Sequence, residues 1–201
     1  SPINMEQDDT RHLLAGIAEI LNRLGIPYLV SGGMAVAVWG RPRFTADIDI
    51  VVELRESQLD VLARELRTFR KDGHIDKEMM VEALRRKDEF NYIDGATGIK
   101  VDFWILTNDP FDASRLTRRV SKEIAGEQVY FTSPEDLILI KLKWYRESDS
   151  SRQKEDAESI VKMMEDELDM NYLKRWATEL GVADLLKELL KRYTPPIEKE
   201  I

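Results

Sequence analysis

Two aspartates one residue apart at the head of an apolar run, Asp47-Ile48-Asp49-Ile50-Val51-Val52, constrain this chain more than any other stretch. Side chains alternate across a strand, so Asp47 and Asp49 point one way while Ile48 and Ile50 point into a core. Left uncompensated at about 4 Å, two carboxylates repel by about 4 kcal/mol at an effective dielectric near 20, so the arrangement favours a bound cation or proton uptake. Fourteen residues before Asp47 the chain carries Ser31-Gly32-Gly33, following the apolar Tyr28-Leu29-Val30. Glycines at a helix start let backbone N–H groups approach a phosphate closely, and Ser31 adds a hydroxyl. A tight strand-to-helix turn would use the same residues, so the glycines gain weight only from the acids downstream.

Apolar periodicity divides the chain into an α/β part and a helical part. Leu13, Ile17, Ile20, Leu21 and Leu24 place a helix over 9–24, which Gly25 and Pro27 end. A short strand at 28–30, a buried helix at 34–39, a strand at 47–54 and amphipathic helices at 57–70 and 76–87 follow. Residues 89–93 and 99–106 read as a hairpin around Asp94-Gly95-Ala96-Thr97-Gly98. In its second strand Val101, Phe103 and Ile105 share one face, and Asp102 and Trp104 the other. A second hairpin joins 119–124 to 129–131 through Ala125-Gly126. Ser133-Pro134-Glu135-Asp136 combines a cap, proline at the first helical position and acids in the first turn. Helices are then expected from there to Tyr145 and near 154–168, 170–181 and 183–193, until Pro195-Pro196 stops the pattern.

The net charge of −8 argues against a protein that coats nucleic acid nonspecifically. Residues 111–154 hold nine Lys or Arg against seven Asp or Glu, so a surface for a polyanion would belong there or near Arg41 and Arg43; as charge balance alone it reads as a solvated face. The chain has no cysteine, which excludes disulfides, thiolate metal sites and a Cys nucleophile. His12 and His74 lie outside the motif regions without a partner at zinc spacing. No apolar run approaches the roughly 18 residues needed to span a bilayer, and no secretory signal is visible, so the expectation is a soluble, cytoplasmic protein with no membrane partner.

Ser31-Gly32-Gly33, Arg43-Phe44-Thr45-Ala46-Asp47-Ile48-Asp49 and Val101-Asp102-Phe103 together resemble the three-part signature of the DNA polymerase β-like nucleotidyltransferase superfamily. Within it the chain looks most similar to the AbiEii-like abortive-infection branch, in which a T-x-D-x-D strand follows a Gly-Gly helix start. That branch also has a lysine in a later helix, matched by Lys141, and an R-x-K-D-x-x-D element. Arg152-Gln153-Lys154-Glu155-Asp156 matches that element loosely, with one extra residue between Lys and Asp. The resemblance covers roughly residues 25–165.

It implies an α/β (α+β) nucleotidyltransferase fold: a small mixed sheet with flanking helices over 5–132, then a helical part over 133–194 packed on that core. It also implies transfer of a nucleoside monophosphate from an NTP to an acceptor hydroxyl with release of pyrophosphate. Asp47, Asp49 and Asp102 would be catalytic and would hold two Mg²⁺ ions, or Mn²⁺; Ser31, Gly32, Gly33, Arg43, Thr45 and Lys141 would bind nucleotide. Phosphoryl transfer needs positioning and charge cancellation, which two hard cations about 3.5–4 Å apart on carboxylates supply. The acceptor stays open among tRNA, a protein side chain and a small molecule. A toxin with an antitoxin protein as partner is among the roles the resemblance implies. The alternative is a non-catalytic nucleotide- or partner-binding module that keeps the fold. Trp104, beside Asp102 on its face, could stack a base, although packing is the commoner use of tryptophan.

Overall fold

The computed structural model describes residues 2–193, with side chains from residue 7 onward; the Pro195-Pro196 stop lies outside the described residues. The described residues divide into two compact units, one of residues 2–35 and 43–132, the other of 36–42 and 133–193.

The first unit is built on a mixed seven-stranded sheet. Its strands are β1 (Tyr28–Ser31), β2 (Asp47–Val52), β3 (Gly73–Ile75), β4 (Glu89–Asp94), β5 (Lys100–Ile105), β6 (Val120–Ile124) and β7 (Glu127–Phe131), in spatial order β3-β4-β5-β2-β1-β7-β6. The β2–β5 and β1–β7 pairs are parallel and the others antiparallel. The β6–β7 turn places both Ala125 (φ 49°) and Gly126 (φ 84°) in the left-handed region, which suits the twist of a two-residue hairpin turn.

Alternation sorts the central strands. Ile48, Ile50, Val52, Val101, Phe103, Ile105, Phe90 and Tyr92 are buried on one face. There the rings of Phe90 and Phe103, register partners on β4 and β5, stack at 4.9 Å. Helices α1 (Pro2–Arg23), α3 (Leu59–Phe69) and α4 (Lys77–Arg86) add Leu13, Leu14, Ile17, Leu21, Leu62, Leu66 and Met80 to the core. Helix α2 (Gly32–Trp39) leaves β1 at the glycine pair. Helix α5 (Pro110–Thr117), absent from the sequence reading, starts at Asp109, whose carboxylate accepts the Phe111 N–H at 2.8 Å.

The second unit is helical: α6 (Pro134–Ser148), α7 (Ser151–Met164), α8 (Met170–Glu179) and α9 (Ala183–Lys191). The α6 start follows its sequence signature, with the Asp136 N–H donating to Ser133 Oγ at 3.1 Å and Ser133 Oγ–H donating to the Asp136 carboxylate at 2.9 Å. The Tyr172 hydroxyl of α8 donates to that same carboxylate. Among the described residues no helix is long and apolar enough to cross a membrane.

Candidate active site

One transverse row of the sheet carries polar side chains across four strands. Ser31 of β1 is paired with Asp49 of β2, Asp49 with Asp102 of β5, and Asp102 with Asn91 of β4. Partners in register share a face, so Asp49 and Asp102 stand side by side about 4.8 Å apart at the backbone. In the next row Asp47 pairs with Lys100; in the row on the other side Val51 pairs with Trp104, and Trp104 with Glu89. Asp47 is exposed, Asp49 half-buried and Asp102 buried. The core face lies directly behind them, which fixes the register, because a one-residue slip would turn Ile48 and Ile50 to solvent.

Asp49 and Asp102 each already have a partner. The Trp104 indole N–H donates to Asp49 Oδ1 at 3.3 Å, and Lys100 Nζ lies 3.4 Å from Asp102 Oδ2. The Asp102 charge foremost, then Asp47 and Glu89, raises the Lys100 ammonium above its ordinary pKa. Glu89 is raised by partial desolvation first and then by Asp102, with Asp88 and Asp49 adding and Lys100 opposing. The polar face is therefore one connected electrostatic group, of which the sequence reading named the aspartates and Trp104 but not Lys100, Glu89 or Asn91. Alternation along β4 and β5 could have put all three on that face.

The glycine pair serves a purpose the sequence did not reveal. Gly32 has φ +61°, and a Cβ there would fall on the Asp49 carboxylate, within 2.9 Å of its Cγ. A Cβ on Gly33 would meet Thr45 Oγ1 at 2.8 Å and Arg43 Nη2 at 3.4 Å. The missing side chains thus make room for the chain's own acid and for the 43–46 segment, while the N–H groups of the first turn of α2 remain outside the helical ladder. Thr45 Oγ1–H donates to the Asp47 carbonyl at 2.9 Å, tying that segment to the strand start. Ser31 is 3% exposed, and among the described residues its Oγ has no hydrogen-bond partner. Such a buried hydroxyl carries a desolvation cost that a ligand oxygen could relieve.

Ser31, Gly32, Gly33, Arg43, Thr45, Asp47, Asp49 and Asp102 thus all belong to the sheet unit. Lys141 belongs to the helical unit, where its ammonium is 2.9 Å from Asp156 and the side chains are 4% and 7% exposed. Arg41 also belongs to that unit, its backbone N–H donating to Ser159 Oγ at 3.3 Å. Among the described residues no three His, Cys, Asp or Glu side chains are already grouped to hold a metal. The adjacent carboxylates of Asp49 and Asp102, with the unpartnered Ser31 hydroxyl beside them, nevertheless fit a hard divalent cation whose other ligands are water or phosphate oxygens.

The fold is that of the nucleotidyltransferases. The chain matches, over 90% of its own length and 91% of the other, an antigenic nucleotidyltransferase-like protein from Paracoccidioides brasiliensis, with a TM-score of 0.52 and 19% identity. It matches the solution structure of the antibiotic-resistance factor ANT(2'')-Ia over 90% of this chain and 97% of that one, with a TM-score of 0.54 and 14% identity. The crystal structure of ANT(2'')-Ia in complex with adenylyl-2''-tobramycin matches over 92% and 99%, with a TM-score of 0.51 and 15% identity. No family model and no curated protein matches the chain. At these identities the likeness is one of fold, and it does not single out the AbiEii-like branch.

Proposed function

We propose that the sheet unit is a metal-dependent nucleotidyltransferase. The observation that carries this reading is the in-register pair Asp49 and Asp102, flanked by Ser31 and by a helix start whose glycines let Asp49 approach. The triphosphate would lie on the first-turn N–H groups of α2, with Arg43, Thr45 and the Ser31 hydroxyl on its oxygens. Asp49 and Asp102, with Asp47 beside them, would hold one or two Mg²⁺ ions, or Mn²⁺. Bound metal would supply charge neutralisation at the α-phosphate and at the leaving pyrophosphate. An acceptor oxygen attacks the α-phosphorus as the bond to the bridging oxygen breaks; pyrophosphate leaves and the hydroxyl proton passes to a carboxylate of the face. The face would thereby orient the reacting groups, which is most of what phosphoryl transfer asks of a protein. Trp104, 41% exposed beside Asp49, offers a surface on which the base could stack.

A small-molecule hydroxyl is one acceptor class, suggested by the adenylylated tobramycin bound to ANT(2'')-Ia; an RNA end and a protein side chain are the others. The test is transfer of label from each of four α-labelled NTPs to these three classes, with and without Mg²⁺. Expected is Mg²⁺-dependent labelling of one class, reduced at least about a hundredfold in Asp49→Asn and Asp102→Asn. Growth arrest on expression, relieved by Asp49→Asn, would point to a toxin acting on an essential cell component. Tight NTP binding without transfer to any acceptor would favour the non-catalytic binding module instead.

A further inference from the structure

The acids of the polar face already face a cation, and it belongs to the chain. Lys100 Nζ is 3.4 Å from Asp102 Oδ2, and Lys100 is the register partner of Asp47. Asp49 is meanwhile engaged by the Trp104 indole and sits in the space a Gly32 side chain would fill. The Lys100 side chain is 42% exposed and that of Asp102 12%. The ammonium thus rides on a flexible stem that can swing to another anion without being dragged from a dry interior.

We propose that Lys100 is a built-in counter-ion that a divalent metal must displace from Asp102, so that metal binds the protein weakly alone and tightly together with an NTP, whose phosphates receive the released ammonium. The inference rests on the nucleotidyltransferase reading and specifies how metal and nucleotide are coupled in it. A divalent ion on Asp102 and an ammonium on the same carboxylate repel, and the repulsion weakens once the ammonium reaches the triphosphate. By linkage, NTP tightens metal binding and metal tightens NTP binding by the same factor. The device favours joint arrival of the two and keeps the carboxylates from collecting metal on their own.

The experiment is a titration of Mn²⁺, followed by loss of its free electron-paramagnetic signal, into the full-length protein with and without a non-hydrolysable ATP analogue. Without nucleotide, Lys100→Met should bind Mn²⁺ about tenfold more tightly than wild type, because one positive charge is removed beside the site. Lys100→Arg, which keeps the charge, should bind like wild type. The gain brought by the analogue should be smaller in Lys100→Met. Equal Mn²⁺ affinities for wild type and Lys100→Met, with binding lost in Asp102→Asn, would overturn the role of Lys100 and leave the metal site standing. No Mn²⁺ binding by any variant, with or without the analogue, would overturn both.

Discussion

Two lysine–aspartate pairs in this molecule use the same chemistry to opposite ends. Lys100 and Asp102 are 3.4 Å apart with side chains 42% and 12% exposed, whereas Lys141 and Asp156 are 2.9 Å apart at 4% and 7%. In the helical unit the Lys141 ammonium also lies 5.5 Å from the centre of the Trp144 ring. Removing one partner of a buried pair strands a charge out of water, so that pair is locked. In the other pair Asp102 is largely covered but the Lys100 ammonium is not, so the lysine can leave its partner for water and that pair can exchange. What separates a pair held in place from one that can exchange is how much water the lysine can recover.

Lys141→Met should cost about 3–5 kcal/mol in urea unfolding, with much of it recovered in Lys141→Met/Asp156→Leu, where no charge is left buried. The same change at Lys100 should cost less, about 1–2 kcal/mol, because Asp102 is 12% exposed and keeps part of its water. Equal costs at the two lysines would mean that exposure does not distinguish the pairs.

Glycine 32 sharpens the contrast on the side of the polar face, whose geometry depends on close backbone approach. Gly32→Ala places a Cβ at φ +61° and drives it against Asp49. Left-handed backbone alone costs such a residue about 1–2 kcal/mol. We expect that loss of stability together with loss of label transfer comparable to Asp49→Asn. Gly33→Ala meets Thr45 and Arg43 without a positive φ and should be milder in both. Transfer retained in Gly32→Ala would show that Asp49 need not sit where it does.

The legible parts of the fold were those written in neighbouring residues. Alternation puts Asp47 with Asp49 on one side of their strand and Asp102 with Trp104 on one side of theirs, and the Ser133-Pro134 start, the hairpin glycines and the helical second unit all follow local rules. Helix α5 also carries a local signature, Asp109-Pro110, of the same cap-and-proline kind. Strand β3 is three residues long and leaves almost no periodicity to detect. What sequence could not give was neighbourhood. Alternation says which face Asp102 occupies, but only the parallel pairing of β2 with β5 makes Asp49 its neighbour, across an intervening segment of some fifty residues. The same limit hid the fact that Asp49 fills the space above Gly32. Glycines signal that something comes close; they do not say whether it is a phosphate or the chain itself.

Glu89 is held above its ordinary pKa by partial desolvation and by the Asp102, Asp88 and Asp49 charges, while Lys100 opposes them. A carboxyl whose pKa rises on folding binds its proton more tightly in the folded state. Stability therefore declines as pH rises from the ordinary Glu value through the raised one and is level beyond it. Glu89→Gln removes that decline: its melting temperature should equal that of wild type below the window and exceed it by about 1 °C above it. Without Lys100 the opposing charge is gone, so in a Lys100→Met background the gain from Glu89→Gln should be larger. Identical gains in the two backgrounds would show that the Lys100 ammonium is spent on solvent rather than on the acids of the face, and the distinction drawn between the two ion pairs would lose its electrostatic half.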